Sequence, residues 1–283
     1  AYLFVGPEHV GRTTVALKII RSLLSDTAGT IETNPDIQII ECLVNEKTGK
    51  TRSLISVEQI RALRIRMSSS AFGDSWRIVW IEEADRLSIS ASNALLKILE
   101  EPGTRTLFLL RAPHTESVVA TIASRCQVIR FASVSRKVIE RALIERGADG
   151  TTAHDLSQAA HGAPGIALAY LADPTAWKSQ QDEDKELLEA HASTIAKRFV
   201  LMEKSTNVRH TLNRLESLWR DVLLTSFGCE DLLLHPSVHE PLSDLAHRVG
   251  SNGSVRALDR IAESRHSLSQ NVSPELALEH ASF

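Results

Sequence analysis

The stretch Gly6-Pro7-Glu8-His9-Val10-Gly11-Arg12-Thr13 decides the fold. It follows a short apolar run, Tyr2-Leu3-Phe4-Val5, and opens a segment from Thr13 to Leu24 whose apolar residues recur at helical spacing. Strand, glycine-bearing turn and helix in that order read as a phosphate-binding loop. The glycines let backbone N–H groups turn inward, and the helix N-terminus adds positive potential. The pattern G-x-x-x-x-G-[K]-[ST] is met everywhere except at Arg12. Lys there reaches the β- and γ-phosphates as a compact charge, whereas Arg brings a broad planar fork, so the exchange is not conservative. Thr13 still suits Mg²⁺. Gly6, Gly11, Arg12, Thr13 and Thr14 are therefore candidate cofactor-binding residues of a degenerate loop, with a chance glycine-rich turn as the bland alternative.

Outward from this loop the first half keeps alternating. Ile37-Gln38-Ile39-Ile40, Ile78-Val79-Trp80-Ile81, Thr106-Leu107-Phe108-Leu109-Leu110 and Val128-Ile129-Arg130-Phe131 are short runs rich in β-branched or aromatic residues. Between them, Ser56 to Met67 and Ser90 to Glu101 carry helical spacing. Strands alternating with helices predict a parallel sheet covered on both faces. After Phe131 the strand signal stops, and helices are expected at Arg136 to Arg146, Ala153 to His161, Pro164 to Ala172, Glu183 to Lys204, Val208 to Phe227, Val238 to Val249 and Val255 to Ser269. A break is read at Ala172-Asp173-Pro174, followed by the polar stretch Lys178 to Lys185. The expected class is α/β plus all-α: an α/β domain over 1–132, a small helical domain over 133–175 and a larger helical domain over 180–283.

Composition sets outer limits. In 283 residues, 43% are apolar, enough for real cores and too many for wholesale disorder. Thirty-two Lys+Arg against 35 Asp+Glu leave a net charge of -3, which excludes a globally basic nucleic-acid coat. No apolar run approaches the ~20 residues of a membrane-spanning helix, and no signal peptide is evident, so a soluble, cytoplasmic protein without membrane partners is expected. The chain opens at Ala1 inside an apolar run, read as lacking its native start. Cys42, Cys126 and Cys229 stand far apart and the 11 histidines are scattered, so reduced thiols and no metal site are expected. Trp76, Trp80, Trp177 and Trp219 are expected to anchor cores or interfaces.

Two further stations bear on chemistry. Ile78-Val79-Trp80-Ile81 runs into Glu82-Glu83-Ala84-Asp85. Acidic residues leaving a buried strand beside a phosphate loop are placed to hold Mg²⁺ and activate water. Glu82 at the metal-facing place is one methylene longer than Asp, and Glu83 remains a candidate base. The alternative is a plain solvated strand end. Farther on, a helix from Ser88 to Glu101 is capped by Ser and stopped by Pro102-Gly103, yet Glu100-Glu101 at its C-terminus oppose the helix dipole. Something other than helix stability is expected to keep them there.

Asn93-Ala94-Leu95-Leu96-Lys97-Ile98-Leu99-Glu100-Glu101-Pro102, followed some twenty residues on by Ser124-Arg125-Cys126, resembles the clamp-loader branch of the AAA+ proteins. The resemblance extends to Gly162-Ala163-Pro164-Gly165-Ile166-Ala167-Leu168 and Gln270-Asn271-Val272-Ser273-Pro274-Glu275-Leu276-Ala277-Leu278, and so covers nearly the whole chain. It implies that Ser124-Arg125-Cys126 presents Arg125 as an arginine finger to nucleotide in a neighbouring subunit; alone, Arg125 reads equally as a local cap or ion pair. It also implies a sheet domain, a helical lid and a C-terminal collar. Implied partners are ATPase and delta-type subunits in a pentameric hetero-oligomer, a sliding clamp, and primed DNA mainly through the complex.

The family's active subunits carry Thr after the Phe-Leu-Leu strand and Arg in the lid, where this chain has Ala112-Pro113 and Gly165. With Arg12 as the third, these departures imply a subunit that needs no cofactor and has stopped hydrolysing ATP, with weak residual ATP, ADP or phosphate binding at most. Many relatives carry a four-cysteine zinc module before the acidic strand; here that interval holds only Cys42, and Asn45-Glu46-Lys47-Thr48-Gly49-Lys50 reads as a turn, so no zinc is expected. An active ATPase subunit of the same loader, or a AAA+-like scaffold outside replication, stays open on the residues alone. Arg61, Arg64 and Arg66 are a candidate grip on DNA backbone, or a solvated helix face. The stripe Leu212, Leu215, Leu218, Trp219, Val222 and Leu223 fits a closed internal core or a partner surface equally.

Overall fold

The computed structural model describes residues 1–24, 31, 34–44, 52–68, 76–193, 208–269 and 273–282. The chain divides into two compact units, Ala1–Val134 and Ser135–Phe283.

In the first unit, β1 (Tyr2–Val5), α1 (Arg12–Leu23), β2 (Ile37–Ile40), α2 (Val57–Ser68), β3 (Arg77–Ile81), α3 (Ile89–Glu100), β4 (Thr106–Ala112), α4 (Ala120–Ala123) and β5 (Gln127–Arg130) follow one another. The strands pair in parallel in the order β2-β3-β4-β1-β5. Successive side chains leave a strand on opposite faces, so each buried strand feeds two cores. Leu3, Val5, Val79, Ile81, Phe108 and Leu110 pack with Ile60 and Leu63 of α2 and Leu95 and Ile98 of α3. Phe4, Ile78, Trp80, Leu107 and Leu109 point the other way, onto Ala16 and Ile20 of α1. Fully buried Trp80, Phe4 and Phe108 are the largest pieces of this packing, and truncating one to Ala would cost about 3–5 kcal/mol.

The second unit is helical: α5 (Arg136–Ile144), α6 (Gly150–Ala159), α7 (Pro164–Ala172), α8 (Pro174–His191), α9 (Val208–Ser226), α10 (His239–Ser269) and α11 (Pro274–Ser282). Helix α8 begins nine residues earlier than the expected Glu183, because Asp173 Oδ1 accepts from the N–H groups of Thr175 and Ala176 and Pro174 stands at the first helical position. The polar stretch Lys178 to Lys185 is thus helix. The two helices expected around Gly250 both lie within His239–Ser269 and meet at Gly250, whose φ 65° and ψ 176° are not helical. Of the stripe on α9, Leu212, Leu215, Leu218, Trp219 and Val222 are buried against Leu242, Leu245 and Ile261 of α10 and Leu278 of α11, an internal core of this chain. The turn expected at Asn45 to Lys50, the helix expected to continue to Lys204, and Gln270-Asn271-Val272 lie outside the described residues. Among the described residues no helix is long and apolar enough to cross a membrane.

Candidate nucleotide cradle and arginine finger

Because β3, β4 and β1 are neighbours, with Ile81 opposite Leu110 and Val5 opposite Ala112, the chain leaving each strand meets the other two at the carboxyl ends of the sheet. This is where open parallel sheets place their ligands. Gly6 turns the chain away from β1 at φ 145°, and a Cβ on it would stand 2.2 Å from the Phe131 carbonyl oxygen. The Gly6 N–H donates to the Pro113 carbonyl at 3.0 Å, tying the loop to the end of β4. Gly11 caps α1 at φ 100°, with no side chain bonded to the first helical N–H groups.

Two arginines fill this cradle. Arg12 is buried, and its Nη1 donates to the Ala112 carbonyl at 2.5 Å, so its fork is turned into the end of β4. Burial, and then the charge of Arg111, pull the Arg12 pKa below its ordinary value. Arg111 bridges the loop and the acidic strand end: Nε donates to the Glu82 carbonyl at 2.7 Å, Nη1 to the Thr13 hydroxyl at 3.3 Å, and Nη2 lies 3.6 Å from Glu82 Oε2. The other carboxylate oxygen of Glu82 accepts from the Trp80 indole N–H at 3.0 Å. Glu83 is paired with Arg86, Oε1 to Nε at 3.3 Å, and Thr14 is exposed on α1.

Thr13 and Glu82 are oxygen donors of the kind Mg²⁺ takes, and Mg²⁺ demands such oxygens at about 2.0–2.1 Å. In this arrangement the Arg111 guanidinium already spans both. Two unit charges ~4 Å apart repel by about 4 kcal/mol at an effective dielectric of ~20, and a divalent ion doubles that. The residues present therefore do not fit a divalent cation between Thr13 and Glu82 as they stand. Ala112 and Pro113 offer this neighbourhood only backbone carbonyls, one to Arg12 and one to Gly6.

The finger candidate lies at the opposite ends of the strands. Ser124, Arg125 and Cys126 close the turn after α4 and lead into β5, whose Gln127 is level with Tyr2, the first residue of β1. Ser124 Oγ donates to the Thr121 carbonyl at 3.0 Å, and Cys126 packs against the core, where burial raises its thiol pKa. Arg125 is exposed; its Nη1 donates to the Thr121 carbonyl at 3.0 Å and its Nη2 meets Glu100 Oε1 at 2.5 Å. Since β1 alone rises about 13 Å at ~3.3 Å per residue, the cradle and Arg125 sit at opposite ends of the sheet.

Sequence reasoning singled out the loop and the finger turn as candidates but assigned no role to Arg111. The available signal was a single charge in a strand, Thr106–Ala112, otherwise built to be buried on both faces; such a charge requires partners. For Glu100 the signal was its conflict with the helix dipole, and Arg125 is what it meets. Arg61 and Arg64 are exposed on α2, and Arg66 Nη1 donates to Gln38 Oε1 at 2.7 Å. Gly165 lies in the first turn of α7.

Comparisons with known proteins agree with these motifs. Residues 1–135 match the family model described as DNA polymerase III, delta subunit. The chain is 25% identical over 313 aligned residues to DNA polymerase III subunit delta' of Bacillus subtilis, covering 99% of this chain and 88% of that one. Over 74 residues it is 45% identical to the delta' subunit of Haemophilus influenzae, covering 26% of this chain and 23% of the relative. In fold it is similar to the crystal structure of a DNA polymerase III gamma subunit-related protein of Thermotoga maritima, at 19% identity and a TM-score of 0.52, over 99% of this chain and 91% of that one.

Proposed function

We propose that this chain, a homologue of the delta-prime and other subunits of clamp loaders, serves as a non-hydrolysing loader subunit of a bacterial replicative DNA polymerase. It supplies Arg125 in trans to the nucleotide of an adjacent ATPase subunit while a sliding clamp is placed on primed DNA. The assembly is a pentameric hetero-oligomer with ATPase and delta-type subunits, working in the cytoplasm. The observation that carries this reading is the placement of Arg125 and the phosphate loop at opposite ends of one parallel sheet. A guanidinium so placed is out of reach of its own loop and faces outward for another's. It can neutralise charge on a transferred phosphoryl group only where a second subunit brings nucleotide to it, which makes hydrolysis depend on assembly. The cradle's own furnishing, two arginines with Glu82 bonded to Trp80 through one carboxylate oxygen and ion-paired to Arg111 through the other, supports a subunit that does not itself turn over ATP.

The test is a reconstituted loader carrying Arg125→Ala. Fingers of this kind are worth about 10³–10⁵ in kcat, so turnover at the adjoining site is expected to vanish while other sites continue. Loader turnover and clamp loading equal to wild type would sink the assignment.

A further inference from the structure

We propose that the Arg111 guanidinium is a built-in cation standing where a nucleotide site of this architecture would hold a divalent metal, so that it bars Mg²⁺ from joining Thr13 to Glu82. The inference rests on, and deepens, the non-hydrolysing reading above. Its ground is two hydrogen bonds and one ion pair at a single side chain. Arg111 reaches the Thr13 hydroxyl with Nη1, the Glu82 carboxylate with Nη2 and the Glu82 carbonyl with Nε. These are the hydroxyl of the loop and the carboxylate of the acidic strand end, the two groups a metal would share. The remaining Glu82 oxygen is held by the indole of buried Trp80, so a carboxylate turned to a metal would give up this hydrogen bond or the ion pair with Arg111. A planar, permanently charged fork suits this task, since it satisfies oxygens on two elements at once and does not dissociate.

Placement in the strand explains why position 111 can do this. Leu110 and Ala112 are buried beside it, and Leu110 is level with both Leu3 and Ile81. Arg111 therefore emerges between the two elements that carry Thr13 and Glu82. Arg12 turns to the Ala112 carbonyl, so the loop's own cation is not the one that meets Glu82.

The experiment uses the full chain, alone, and titrates ADP in EDTA and in excess Mg²⁺, by calorimetry and by the fluorescence of its four tryptophans, among them Trp80, which is bonded to Glu82. Wild type is expected to show no strengthening by Mg²⁺, whether its ADP affinity is weak or nil. Arg111→Thr, alone or with Arg12→Lys to restore the loop's usual cation, is expected to gain at least tenfold tighter ADP binding in Mg²⁺ than in EDTA. If Arg111→Thr does not fold, Arg111→Gln is compared in the same way. Tenfold strengthening by Mg²⁺ in the wild type overturns the inference. So does a folded Arg111 variant with Arg12→Lys that shows no Mg²⁺ dependence, because something else then excludes the metal. ATP turnover by the isolated wild-type chain would overturn the functional reading itself. Mg²⁺ dependence without turnover would overturn only the role of Arg111.

Discussion

Arg125, in the turn that leads into β5, is held by Glu100 at the end of α3, Nη2 to Oε1 at 2.5 Å. Glu100 sits where its charge works against the α3 dipole, at a cost of about 0.3–1 kcal/mol, and the contact with Arg125 is what it gains there. Both side chains are substantially exposed, so the pair is worth at most about 1 kcal/mol and can be exchanged for a phosphate. Arg125→Ala in the isolated chain is therefore expected to lower the unfolding free energy, measured by denaturant titration, by ~1 kcal/mol or less. A large destabilisation would mean that Arg125 is a structural residue.

The two glycines of the loop carry different constraints. Gly6 has positive φ and a Cβ position 2.2 Å from a backbone oxygen, whereas Gly11 has positive φ with open space around it. Gly6→Ala must move backbone as well as accept strain, and is expected to destabilise clearly more than Gly11→Ala, whose cost is the left-handed conformation alone, about 1 kcal/mol. Thermal melts of the two variants check the order, and equal losses would contradict the close approach of Gly6 to Phe131.

What was legible in the sequence was whatever is local. The strands showed as short β-branched runs because burial on both faces demands them, and the loop showed because its glycines are set by backbone geometry. The role of Arg111 was not legible, since its partners Thr13 and Glu82 lie 98 and 29 residues away and meet it only through strand order. The start of α8 was misplaced for a different reason. Asp173-Pro174 reads as a break, but as an N-cap followed by Pro it is equally a helix start, and polar Lys178 to Lys185 shows no apolar stripe to decide between them.

Asp221 is fully buried in the second unit and acts as a hub. Its Oδ2 accepts from the N–H groups of Leu234 and His235, both at 2.8 Å, and lies 2.9 Å from His235 Nδ1, while Oδ1 accepts from Arg220. Removing the carboxylate strands two backbone donors and a buried imidazole together. Asp221→Ala is expected to cost about 3–5 kcal/mol. Asp221→Asn, which keeps one acceptor oxygen, should recover part of it. Urea unfolding of both variants measures the difference, and a cost of Asp221→Ala within ~1 kcal/mol would show that the hub does not hold the segment after α9.

The packing around that hub also sets an acid response. His161 is partly open to solvent, yet its ring meets the His235 ring edge-on, centroids 5.4 Å apart, and desolvation of that ring, then the charge of His235, lowers its pKa to about 4. In the unfolded chain the same imidazole titrates near its ordinary 6.5. Above that pH neither state holds the proton and His161 contributes no pH dependence. As pH falls from about 6.5 towards 4 the unfolded state takes up a proton that the folded state refuses, so stability drops through this window and the contribution levels off below it. His161→Gln, which cannot titrate, should lose this part of the slope. Unfolding midpoints at pH 7, 5.5 and 4.5 decide it, and parallel acid profiles for wild type and His161→Gln would show that the imidazole takes its proton as freely in the fold as outside it.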